Sequence, residues 1–230
     1  GLITQDAAIG SDNNPASVTI ASAEGSLDSN NTIDSVGLIS ITTGANVDLA
    51  NAVTAGTSIA VDAGGTVDAA AILDAGTSVD VSGDDNVSLV DTIARSGNAT
   101  ITGLDVTLAG PVNAINNDII VTADNNIASS AALGGLNNTD NITLRANTGW
   151  VNATDTISAD GTANLWAGQD ITTTATVDAT TVLVNGGNDV ALATILAAAG
   201  GADIDAGAAL TLNGDVDANA GTVTIDAGGL

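Results

Sequence analysis

The chain has 230 residues and a formal net charge of −25, with 27 acidic side chains set against two cations, Arg95 and Arg145. It contains no His, Cys, Met, Tyr, Phe or Lys, which removes the usual general bases, thiol and amine nucleophiles and soft metal ligands, and leaves an enzyme only Asp, Ser and Thr. Phosphate neutralisation needs clustered cations and base stacking needs aromatics, so no nucleic acid is expected as a partner; no stretch approaches the roughly 20 apolar residues of a membrane helix, so no membrane insertion is expected.

Hydrophobic residues make up 44% of the chain, yet its aromatics are limited to Trp150 and Trp166. Any core is therefore narrow and filled by Val, Ile, Leu and Ala. Zero Cys excludes disulfides. A start at Gly1 with no Met anywhere reads as a processed product or an excised segment.

Searched for self-similarity, the chain divides into eleven units, each contributing one residue to three apolar columns. In chain order the units carry Leu2, Ile9 and Ile20; Leu27, Ile33 and Ile41; Val47, Val53 and Val61; Val67, Ile72 and Val81; Val87, Ile93 and Ile101; and Val106, Val112 and Val121. Then follow Ile127, Leu133 and Leu144; Val151, Ile157 and Leu165; Ile171, Val177 and Val184; Val190, Ile195 and Ile204; and Leu210, Val216 and Ile225. Steps in the third column run from 19 to 23 residues, and no linker interrupts them.

Around each column the pattern is V-x-L or V-x-V, the period of two that marks a strand. Pairs such as Gly64-Gly65, Asp84-Asp85, Asn116-Asn117, Asn137-Asn138 and Gly186-Gly187 punctuate the strands and suit positive-φ turns. Alanine-rich ALATILAAAGG keeps the column phase through Val190, Ile195 and Ile204, so it reads as strand and not helix. The expectation is an all-β fold, a right-handed parallel β-helix of about 20 residues and three short strands per coil, spanning 1–230 as one solenoid domain without evident capping domains. Right-handedness follows from a coil longer than a strict hexapeptide rhythm and from the hand of parallel crossovers.

The stretches GLITQDAAIG, NVDLANAVTAGTSIAVDAGG and GAALTLNGDVDANAGTVTIDAGG resemble the shaft repeats of filamentous-haemagglutinin-type adhesins, which are secreted by two-partner or autotransporter routes. The resemblance covers essentially the whole chain. It implies a structural rod, extracellular or on the cell surface of a prokaryote. No stretch matches that family's amino-terminal secretion domain or a lectin-like or protease module, so a shaft segment is implied and a complete adhesin is not.

Third-to-first-column gaps inside the chain run from 5 to 7 residues, and joining Leu230 to the Gly1 of a second copy gives 7. The ends are in phase. Leu2, Ile3, Ile225 and Leu230 are thus the expected assembly ends, whether for head-to-tail self-association into a filament or for continuation of a longer rod. Eleven coils at a strand spacing of about 4.8 Å make a rod of about 50 Å. Its charge density is about one per 2 Å, close to that of duplex DNA, so it condenses counterions.

Asp62, Asp205 and Asp226 each follow the third column, and Asp170 and Asp189 precede the first column on successive coils. Stacked carboxylates of this kind are candidate calcium ligands, although the calcium-repeat pattern GGxGxDxUx is absent and Asp favours turns for its own reasons. No other cofactor is expected. Trp166 and Arg145 follow the third column on adjacent coils, with Trp150 near the same corner. The simpler reading is that the indoles cover a turn; the functional one is a surface for a host or surface glycan or a neighbouring rod. An ice-binding array is excluded because the outward row from Thr19 and Ser40 to Asp203 and Thr224 mixes Thr with Asp, Ala and Leu. Near-uniform coils leave no loops for a polysaccharide-cleaving cleft, so the chain is not expected to be an enzyme.

Overall fold

The computed structural model describes residues 1–10, 14–135 and 139–228. Asn137, Asn138 and Leu230 lie outside the described residues. Within them there is no helix; short strands pair in parallel with strands about 20 residues away, and the chain winds into a β-solenoid of eleven turns.

The third strand of each coil is the most regular. Val79–Gly83 lies between Ile59–Ala63 and Ala99–Gly103 with Val79, Val81 and Gly83 turned inward. Alternate residues face out, as the two-residue period requires. All third-column expectations hold, from Ile20 opposite Ile41 to Ile204 opposite Ile225. The third inward position holds small residues, such as Ala63, Gly83, Gly103, Ala123 and Ala146. The reason is space at the corner: a Cβ on Gly103 would stand 2.8 Å from Cγ2 of Val87, the first residue of the same coil's first strand.

Three column assignments shift by one residue. On the first coil Ile3, and not Leu2, pairs with Leu27, and Leu2 is 65% exposed. That choice turns Gln5 toward the core, where its amide bonds Ser29 Oγ and the carbonyls of Ala7 and Thr32. In the second column Leu73 replaces Ile72 and Thr92 replaces Ile93. The cause is charge. Each second strand turns in two residues, and the second belongs to an Ala row running through Ala55, Ala75, Ala94 and Ala114. Ile72 inward would bury Asp74, and Ile93 inward would bury Arg95, at large desolvation cost. With Leu73 and Thr92 inward both charges stay outside and pair, Arg95 Nε to Asp74 Oδ1 at 2.8 Å and Nη2 to Oδ2 at 2.5 Å. A register shift between Leu89 and Asp91 accommodates the change. Thr92 Oγ1 is left buried with no hydrogen-bond partner.

The turns also differ from expectation. Asn116, at φ 55°, takes the left-handed conformation, but Gly64-Gly65, Asp84-Asp85 and Gly186-Gly187 do not. At Gly187 glycine is needed because coils stack closely: a Cβ would lie 2.2 Å from the Gly168 carbonyl oxygen one coil below.

Candidate functional site

Two ladders of polar side chains run along the coil corners. Just before the first strand, Asn46 Oδ1 accepts from the Thr66 N–H at 3.1 Å, and Asp105 Oδ1 accepts from the Asn126 N–H at 3.1 Å and its Nδ2 at 2.8 Å. Asn126 Oδ1 in turn accepts from the Trp150 N–H at 3.1 Å. Before the third strand the rungs are Asn98, Asp118 and Asn141, ending on the Thr162 N–H. Each rung satisfies a backbone donor that the turn geometry leaves over.

Asp170 and Asp189, singled out in the sequence as calcium candidates, are rungs of the first ladder. Asp170 Oδ1 accepts from the Asp189 N–H and Asp189 Oδ1 from the Ala209 N–H, both at 3.1 Å. Asp205 and Asp226 are direct neighbours on adjacent coils, with Asn185 Nδ2 donating to Asp205 at 3.2 Å. Asp62 stands apart from them, between Thr42 and Ser82. Among the described residues no three carboxylates converge as metal ligands.

An acidic row that the sequence reading passed over is Asp28, Asp48 and Asp68, directly stacked at the outward centre of three successive first strands. Burial, then the charges of Asp68 and Asp28, raise the Asp48 carboxyl above its ordinary value. The signal was available: V-D-L, V-D-A and L-D-S recur at one phase.

Arg145 and Trp166 occupy paired positions on adjacent third strands, the guanidinium carbon 4.4 Å from the ring centroid. Arg145 Nε also donates to Asn147 Oδ1 at 2.9 Å, and Asn147 Nδ2 reaches Asp124 Oδ1 at 3.1 Å. A cation thus already covers this indole. Trp150 lies across the 147–149 turn and lines two depressions on the outer side of the first strands. One, of about 150 Å³, is bounded by Val151, Asn152, Asp170 and Thr172; the other, of about 210 Å³, by Asp105, Thr107, Asn126 and Ala128. Trp150 is 36% exposed, and Asn152 Oδ1 is buried without a partner.

The assembly-end residues sit differently at the two ends. Ile3 is half-buried, whereas Ile225 stacks on Ile204 and is 47% exposed. A depression of about 260 Å³ is a groove between the outward rows Ser40–Thr100 and Thr42–Thr102 and is lined in part by Asp62 and Asp80. None of these depressions is a cleft between long loops. Comparison with family models, with curated proteins and with solved structures gives no match.

Proposed function

We propose that this chain is a structural rod acting outside the cell or on its surface, as part of a filament or as the shaft of an adhesin. The observation that supports this reading is the unbroken third-strand ladder. Eleven coils pair in register over one continuous Val/Ile/Leu/Ala core, so load applied along the axis is shared by backbone hydrogen bonds in every coil. The resemblance of the repeats to filamentous-haemagglutinin-type shafts points the same way. Its role is mechanical and non-catalytic: the aliphatic core resists unfolding while acidic turns hold water and counterions at the surface. Stacking of coil upon coil serves equally within a longer chain and between copies.

Electron microscopy of the purified chain tests the proposal. The expected particles are straight rods of about 50 Å, single or joined end to end with that repeat. Flexible threads, or compact particles with no long axis, would overturn it. The same preparation should show no turnover of polysaccharides; hydrolysis abolished by a single Asp→Asn substitution would replace the rod with an enzyme.

A further inference from the structure

We propose that the surface around Trp150 is a docking site for a lysine side chain from a basic segment of a different protein. Four observations converge on it. First, Trp150 occupies a rung position: the residues before the first strand on neighbouring coils are Asp105, Asn126, Asp170 and Asp189, and all four accept backbone N–H groups. An indole has no acceptor to offer. The ladder therefore stops at Trp150 and restarts at Asp170, so the tryptophan displaces a residue type that the fold itself favours there.

Second, the exposed indole is flanked by carboxylates, with Asp170 lining the depression on one side and Asp105 the one on the other. An aromatic face between two acids suits a cation, which gains from the ring quadrupole and from both charges. Third, Asn152 lines the Asp170 side, and its buried Oδ1 lacks a hydrogen-bond donor. Turned outward, the Asn152 amide would present this oxygen beside Asp170, and a primary ammonium, with three donors, would serve both. Fourth, the formal charge of −25 repels anionic ligands and draws cationic ones from a distance.

The cation does not come from a side chain of another copy. The chain has no Lys; Arg95 is held by Asp74 and Arg145 lies on Trp166. Trp166 is the internal reference for the geometry, an indole on the same rod that already has its cation.

The test uses the full chain carrying Trp166→Phe, so that fluorescence reports Trp150 alone, titrated with pentalysine at about 0.15 M salt. A saturable change is expected, weakened about fivefold or more by Asp170→Asn and changed less than about twofold by Asp62→Asn on a distant coil. Asp170→Asn keeps an acceptor oxygen for the Asp189 N–H, and circular dichroism verifies its fold. Calorimetry on Trp150→Ala should show the site lost. Equal weakening by Asp62→Asn and Asp170→Asn would reduce the binding to diffuse attraction and sink the proposal. So would a saturable response to a neutral saccharide such as chitotriose with none to pentalysine, which would make the surface a glycan site.

Discussion

Each third strand turns three side chains inward, as at Val79, Val81 and Gly83, whereas each second strand turns in only two, as at Leu73 and Ala75. The third strands stack without a register shift from Ser17–Ser22 to Val223–Ala227 along the described coils. The register shifts flank second strands, Leu89/Asp91 at the entry to one and Ala179/Thr181 at the exit from another, and one second strand holds a buried threonine, Thr92. With three inward positions, apolar burial alone decides which face is inside. With two, the competing registers bury similar apolar area, and the exclusion of Asp74 and Arg95 from the core decides instead.

The largest effect should come from breaking the regular stack. Ile101 is fully buried in the third column, and Ile101→Ala should destabilise by about 2–5 kcal/mol in urea unfolding followed by tryptophan fluorescence. A loss below about 1 kcal/mol would mean that the third-strand column is not the main source of stability.

Thr92→Val should sharpen the contrast from the other side. The substitution replaces the unpartnered buried hydroxyl with a methyl group of similar size, and stability should rise by about 1–2 kcal/mol. A fall would show that Oγ1 is bonded in solution. Arg95→Ala comes next: the Arg95 side chain is 53% exposed, so the ion pair should contribute less than about 1 kcal/mol and fade as salt is raised. A larger, salt-independent loss would mean that the pair itself holds the register, and not the exclusion of charge from the core.

The residues explain why the third strands were legible and the second strands only partly so. A V-x-V pattern followed by Gly or Ala admits one register. At Ile72-Leu73 and Thr92-Ile93, adjacent residues both suit a strand interior, and the deciding information lies two positions on, at Asp74 and Arg95. Leu2-Ile3 is the same ambiguity, resolved by Gln5 bonding Ser29. The ladder was readable as a run of Asn, Asp, Ser and Thr before the first column, which is where Asp170 and Asp189 belong. The unpartnered Asn152 Oδ1 had no signature, because its isolation depends on what surrounds the atom and not on residue type.

The smallest expected effect concerns the acidic row on the first strands. Burial and its neighbours Asp68 and Asp28 raise the Asp48 carboxyl above 3.8 in the folded rod, so between that ordinary value and the raised one the folded state binds more protons than the unfolded state. Stability linked to Asp48 therefore falls as pH rises through this window, and increases as pH drops toward 4. Asp48→Asn should remove that slope and raise stability at neutral pH by less than about 1 kcal/mol, a slight rise in melting temperature, because the group is largely solvated. Added salt should give the native chain the same benefit by screening the stack, and should give the variant less. Thermal melts of both proteins at pH 4 and 7, at low and high salt, separate the outcomes. If the two proteins respond alike to pH and salt, Asp28, Asp48 and Asp68 do not repel one another along the rod, and the charge on these coils is already neutralised by condensed counterions.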